Sequence, residues 1–98
     1  MEKIVISETI RAKLASVHDV GIPEVHQCFA NRTGKLLADP REVHVTDPPT
    51  RWFIAPTNKG RLLKVCYVPR EDYFVRTCYE PNEVELAIYR KYGEPSDF

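Results

Sequence analysis

Three strand-like runs follow one another between residues 51 and 79. "RWFIAP" (51–56), "RLLKVCYV" (61–68) and "YFVRTCY" (73–79) are rich in aromatic and β-branched residues, and typical turn segments, "PTNKG" and "PRED", join them. Connections this short join antiparallel neighbours, because parallel strands need a long crossover. The chain is therefore predicted to contain an antiparallel β-meander.

Three amphipathic segments flank these runs. "SETIRAKLASVHD" has Ser7 as a helix N-cap, "IPEVHQCFAN" has Pro23 in its first turn, and "PNEVELAIYRKYG" begins at Pro81 and Asn82. The positions predicted to be buried are Ile10, Leu14 and Val17 in the first helix, Ile22, Val25 and Phe29 in the second, and Val84, Ala87, Ile88 and Tyr92 in the third.

Weaker strand candidates complete the pattern. "KIVI" (3–6) precedes the first helix, and "GKLLADP" and "EVHVTDPP" follow the second. Helices separated in sequence from a run of strands are typical of the α+β class. We therefore expect a single domain, residues 1–98, in which two N-terminal helices pack on an antiparallel meander of three to five strands and a C-terminal helix closes the fold.

Charge and composition limit the classes of partner. The 14 basic and 14 acidic residues cancel, so an anion site has to come from a local arrangement. No apolar run is long enough to span a membrane, and the start lacks the apolar centre of a signal peptide. We expect a cytoplasmic protein with no membrane partner, whose three unpatterned cysteines are reduced.

Metal ligands do not cluster in the sequence. His18, His26 and His44 are scattered, and no paired spacing typical of a zinc site is present. Nor does the sequence contain a glycine-rich phosphate loop or a nucleophile elbow. The sequence therefore predicts neither a metal nor a cofactor.

Two cations, Lys64 and Arg76, interrupt the most strand-like segment. If residue 65 opposes residue 75 and residue 53 opposes residue 63, then Trp52, Lys64 and Arg76 form a row on one face of the sheet. Like charges opposed on a sheet are destabilising. Three explanations stay open: a solvated face, neutralisation by Glu80 or Glu85, or an anion site in which Trp52 stacks on a base or covers a cation.

The end of the last helix, "YRKYG", also has two interpretations. Cations near a helix C-terminus interact favourably with the helix dipole, which explains Arg90 and Lys91 without a function. Alternatively, Tyr89 or Arg90 reaches the face of the sheet and joins the site there.

Several strings resemble a known family. "HDVGIPEVHQCFAN", "RWFIAPTNKGRLLKVCYV" and "YFVRTCYEPNEVELAIYRKYG" are similar to the helix junction, the central hairpin and the last strand and helix of the BrnT-like branch of the RelE/ParE toxin superfamily. The resemblance covers roughly residues 14–93. This chain has "TCYEPN" where many members of that branch have a basic "SARRA" stretch.

The resemblance implies a RelE-like fold and a toxin–antitoxin-type function. It implies a metal-independent endoribonuclease that acts on mRNA, free or ribosome-bound, through a basic sheet face. The catalytic candidates are Lys64, Arg76, Arg61 and Tyr79, and the RNA-binding candidates are Trp52, Arg51, Lys59 and Arg90. The implied partners are RNA and an antitoxin-like protein. The alternative is a non-catalytic interaction module that binds a partner helix or a second copy of itself as a homodimer.

Overall fold

The computed structural model describes residues 3–39 and 49–98. Its elements are β1 (Ile4–Val5), α1 (Glu8–His18), α2 (Ile22–Asn31), β2 (Leu37–Ala38), β3 (Arg51–Pro56), β4 (Leu62–Pro69), β5 (Tyr73–Tyr79) and α3 (Glu83–Tyr92). The α+β class is confirmed. The strand candidate "EVHVTDPP" lies almost entirely within residues 40–48, outside the described residues.

The sheet has the strand order β1-β5-β4-β3-β2 and is mixed. Neighbours from β2 to β5 pair antiparallel, whereas β1 lies at the edge and pairs parallel with β5. Asp72 fixes this edge, because its side chain accepts a hydrogen bond from the Lys3 backbone at 3.0 Å, while Tyr73 N donates to Lys3 O at 2.8 Å. A wholly antiparallel meander was therefore the wrong expectation, since the two helices between β1 and the meander supply the crossover that a parallel pair requires.

The sheet is covered on both faces. Phe29 of α2 packs against Phe53, with ring centroids 5.0 Å apart, whereas Tyr89 of α3 packs against Trp52 at 5.5 Å. Trp52 and Phe53 are consecutive in β3, so their side chains point to opposite faces. The helices thus form two layers, with α1 and α2 on one face and α3 on the other. This arrangement explains why residues 63–68 of β4 are buried without alternation.

The N-caps of α1 and α3 are the residues that the sequence predicts. Ser7 Oγ accepts from Ile10 N at 3.2 Å and Asn82 Oδ1 accepts from Glu85 N at 2.8 Å, as expected for N-caps. Asp19, in the left-handed conformation with φ 53°, is the C-cap of α1, and Gly21 is the N-cap of α2.

The buried face of α3 differs from the predicted one. Val84, Ile88 and Tyr92 were expected in the core but are 68%, 42% and 57% exposed, while Tyr89 is fully buried. A Cβ on Gly93 would lie 2.6 Å from Cε1 of Tyr89, so only a glycine there leaves room for the ring. Tyr89 Oη donates to the Lys35 carbonyl at 2.9 Å and holds the helix in this rotation.

Two further expectations concern the whole chain. Cys28, Cys66 and Cys78 are buried and form no disulfide, as predicted. Within residues 3–39 and 49–98, no helix combines the length and the apolar character that a membrane crossing demands.

Candidate functional site

The pairing of β3 with β4 brings Trp52 and Lys64 together. Phe53 opposes Val65 rather than residue 63, a shift of two residues from the predicted register. A shift by an even number keeps each side chain on its predicted face. The Nζ atom of Lys64 accordingly lies over the Trp52 ring, 4.6 Å from its centroid. Trp52 therefore covers a cation, which was one of its two predicted roles.

A β-bulge removes Arg76 from this row. Lys64 opposes Tyr79 and Cys66 opposes Thr77, but the next pair is Tyr67 with Val75. Arg76 is the extra residue on β5, and an extra residue inverts the faces of every position beyond it. The predicted row of Trp52, Lys64 and Arg76 is thus wrong, and Tyr79 takes the place beside Lys64. Arg76 is exposed, whereas Lys64 is 3% exposed.

Glu85 of α3 lies directly over Lys64. Lys64 Nζ and the Tyr79 hydroxyl each donate to Glu85 Oε2 at 2.7 Å, and Asn82 N donates to Oε1 at 3.0 Å. The ammonium, the carboxylate and the phenol form one buried cluster, named here the Lys64 cluster: Trp52, Lys64, Tyr79 and Glu85. Of the three explanations open for Lys64, neutralisation by an acid is the one present in the structure.

The pKa values in the cluster reflect this mutual stabilisation. Burial would raise the pKa of Glu85, but hydrogen bonds from Lys64, the Asn82 backbone and Tyr79 lower it to about 2. Burial would lower the pKa of Lys64, but the hydrogen bond to Glu85 outweighs it and raises the pKa. The pKa of Tyr79 is raised by burial and then by Glu85. At neutral pH the cluster is therefore an ion pair with a protonated tyrosine.

Arg61 is engaged at a different place. Its guanidinium donates to Glu80 Oε2 at 2.8 Å and to Glu24 Oε2 at 3.1 Å. It also donates to the carbonyls of Asp19 at 2.8 Å and His18 at 3.2 Å. These carbonyls lie at the C-terminal end of α1, where a cation is favoured by the helix dipole. Arg61 thus joins α1, α2 and the chain after β5.

The remaining predicted RNA-binding residues do not converge. Arg51 opposes Tyr67 in the sheet and is half-buried on the face that carries α1 and α2. Lys59 is exposed in the turn between β3 and β4, and Arg90 is exposed on α3. The structure therefore brings together three of the eight predicted site residues, Trp52, Lys64 and Tyr79, and leaves the other five dispersed.

A groove opens beside the Lys64 cluster, between α3 and the edge of the sheet at β2. Its volume is about 690 Å³, with Leu37 and Trp52 on the sheet side and Val84, Ile88 and Tyr92 on the helix side. Lys64 and Glu85 lie at its polar end. Sequence reasoning missed this groove because it assigned the apolar positions of α3 to the core. The sequence signal that could have predicted the groove is a second apolar face on α3, formed by Leu86 and Tyr89.

A smaller cavity lies on the opposite face of the sheet. It has a volume of about 350 Å³ and is lined chiefly by Phe29, Tyr67, Tyr73, His26 and Arg32. Burial raises the pKa of Tyr67. No group of three or more His, Cys, Asp or Glu side chains suited to hold a metal ion occurs in the part of the chain that the structure describes.

Comparisons with known proteins found no match for this chain. No protein-family model, no curated protein and no solved structure matches the chain. The likeness to BrnT-like toxins therefore stays a prediction from the sequence.

Proposed function

We propose that this chain is a non-catalytic interaction module, which binds an apolar segment of a polypeptide in the groove between α3 and β2. The observation that carries the proposal is the row of Val84, Ile88 and Tyr92, which are 68%, 42% and 57% exposed and line that groove. Residues four apart lie on one side of a helix, so the three side chains form one continuous apolar stripe. Contiguous exposed apolar surface next to a groove is typical of a binding site.

The charge distribution supports binding of a polypeptide over catalysis on RNA. A basic site that stabilises a developing phosphorane needs cations directed at the substrate. Lys64 is instead 3% exposed and paired with Glu85, and Arg61 is paired with Glu24 and Glu80. The cluster is thus electrically balanced and serves to hold α3 against the sheet, which fixes the shape of the groove.

Selection of peptides tests the groove without a known partner. A displayed peptide library is selected against the purified chain. We expect peptides with apolar residues at helical spacing, and binding that falls at least tenfold in Ile88→Asp. Val17→Asp is the matched control, because Val17 is 64% exposed on α1, away from the groove. Peptides that bind Ile88→Asp as well as the wild type overturn the proposal.

The ribonuclease prediction is tested on the same protein. Purified chain is incubated with mRNA, with and without ribosomes, and its fragments are mapped. Cleavage by the wild type that is lost in Arg76→Ala, with circular dichroism showing that the variant is folded, would support the toxin-type prediction; Arg76 is exposed. The module proposal expects intact RNA. The antitoxin-like partner implied by the BrnT resemblance is compatible with either function.

A further inference from the structure

We infer that the cavity of about 350 Å³ between α2 and the strands β1, β4 and β5 binds a small aromatic carboxylate, a molecule of one or two rings with a single negative charge. Its volume lies at the lower end of the range of small-molecule sites, about 300–1,000 Å³. The cavity is on the face of the sheet that carries α1 and α2, so the inference is independent of the groove beside α3. It rests on an aromatic wall, a buried hydroxyl and neighbouring arginines.

The apolar part of the cavity is a wall of three aromatic rings. Phe29 of α2 stacks on Tyr73 of β5, with ring centroids 5.8 Å apart and ring planes 7° from parallel. The ring of Tyr67 lies 5.3 Å from that of Phe29 and 5.1 Å from that of Tyr73. Phe29 and Tyr73 line the cavity and are only half-buried, so they offer surface to a further ring. Aromatic rings pack favourably on one another, and the wall therefore favours a flat aromatic ligand.

The polar part of the cavity begins at the Tyr67 hydroxyl. Tyr67 is 1% exposed, and within residues 3–39 and 49–98 its hydroxyl makes no hydrogen bond. In the same part of the chain no fully enclosed side-chain oxygen or nitrogen lacks a partner, so the Oη atom has to be open to the cavity that Tyr67 lines. Buried hydroxyls are normally hydrogen-bonded, because an unpaired one is costly. A ligand oxygen in the cavity would supply the acceptor.

Positive charge surrounds that hydroxyl. Arg51 is the cross-strand partner of Tyr67 on the same face of the sheet, and Arg32 lines the cavity just after α2. The charges of both arginines oppose the rise in the pKa of Tyr67 that burial causes, so both guanidinium groups lie close enough to act on the hydroxyl. His26, a cation when protonated, lines the cavity as well, and no Asp or Glu is among the described lining residues. The cavity is therefore suited to an anion.

The arrangement of donors favours a carboxylate. Arg32 donates through Nη1 to the Gly34 carbonyl, whereas its Nε and Nη2 form no hydrogen bond within the described residues. This second edge of the guanidinium can hold a carboxylate by two parallel hydrogen bonds, and the Tyr67 hydroxyl adds a third. A phosphate would bring a further charged oxygen into the cavity, and a buried charged oxygen without a donor is costly.

Titrations followed by nuclear magnetic resonance test the site on the wild type. The probe is 2-naphthoate, which has two fused rings and one carboxylate, and 2-naphthalenemethanol is its uncharged analogue. We expect a Kd of about 0.1–1 mM for naphthoate and binding of the alcohol that is weaker by about tenfold or more. Amide chemical shifts should change in residues 26–32 and 67–73. Naphthyl phosphate should bind more weakly than naphthoate.

Two variants test the named donors. Tyr67→Phe keeps the ring but removes the hydroxyl, and it should weaken naphthoate binding by about tenfold. Arg32→Met should weaken it by at least about fivefold. Arg90→Met is the matched control, because Arg90 is exposed on α3 at the opposite face of the sheet, and it should bind naphthoate as the wild type does. Circular dichroism shows whether each variant is folded, and the comparison of naphthoate with the alcohol needs no variant.

Four results overturn the inference. The first is a wild type that binds no naphthoate up to about 5 mM, and the second is an alcohol or a phosphate that binds as tightly as naphthoate. The third is a set of chemical-shift changes confined to α3 and its groove, which would place the probe at the other face. The fourth is wild-type affinity in folded Tyr67→Phe and Arg32→Met.

Discussion

Lys64 Nζ lies 2.7 Å from Oε2 of Glu85, and the two side chains are 4% and 15% exposed. A buried charge is costly unless an opposite charge compensates it, so each residue depends on the other for its place in the fold. The pair joins the middle of the sheet to the first turn of α3. It therefore fixes the position of the groove. It also holds α3 over the sheet face that was predicted to bind RNA.

Replacing Glu85 by Gln should destabilise the protein strongly. Gln retains the acceptor for the Asn82 backbone but removes the charge that compensates Lys64, and loss of one partner of a buried pair costs about 3–5 kcal/mol. Urea denaturation measures the change in unfolding free energy. The double variant Lys64→Met, Glu85→Gln removes both charges and should recover most of the loss. If the unfolding free energy of Glu85→Gln lies within about 1 kcal/mol of the wild-type value, the ion pair contributes little to stability.

Acid should lower the stability of the protein within a defined pH range. The pKa of Glu85 is about 2, below the ordinary value of 4.5, because its charged form is held by Lys64 and Tyr79. A lowered pKa stabilises the fold above pH 4.5, and this contribution, about 3 kcal/mol, is lost as the pH falls from 4.5 towards 2. Thermal unfolding followed by circular dichroism should show this decline in the wild type. In Glu85→Gln the decline should be shallower, and an identical slope in both proteins would contradict the assignment.

Arg61→Met should lower the unfolding free energy of the protein, both in the absence and in the presence of RNA. The substitution keeps the aliphatic stem but removes the hydrogen bonds to Glu24, Glu80 and the end of α1, with an expected loss of about 2–4 kcal/mol. Lys59→Met is the matched control, because Lys59 is exposed in the same hairpin turn and should change stability by less than about 0.5 kcal/mol. Equal unfolding free energies for the two variants would argue against the structural role of Arg61.

Gly34→Ala should displace Tyr89. A Cβ at Gly34 would lie 2.8 Å from Cζ of the Tyr89 ring, closer than side-chain atoms pack, so the ring or the loop has to move. We expect a loss of about 1–3 kcal/mol and a change in Trp52 fluorescence, because Tyr89 packs on Trp52. At Gly21 the nearest atom to an added Cβ is 3.6 Å away, so Gly21→Ala should leave the fluorescence unchanged. An unaltered fluorescence spectrum in Gly34→Ala would show that the space between Gly34 and the Tyr89 ring is wider than the structure indicates.

The sequence by itself determined the elements of the fold. The caps at Ser7 and Asn82, the proline in the first turn of α2 and the turn residues between the long strands are local features, and local geometry follows from local residue types. The assumed pairing of β3 with β4 also placed Trp52 and Lys64 on one face. The reason is that a strand has a side-chain period of two, so even a register error of two residues leaves the faces intact.

Only the tertiary structure decided which faces meet. The bulge at Arg76 is one extra residue, and its effect on the position of Tyr79 depends on pairing between strands rather than on β5 alone. The rotation of α3 about its axis depends on two contacts with residues that are distant in the sequence. Tyr89 packs against Gly34, and Glu85 pairs with the ammonium group of Lys64. Since α3 has two apolar faces, its periodicity was compatible with burying either one. The buried ion pair selected the face that holds Tyr89 and left Val84, Ile88 and Tyr92 at the surface.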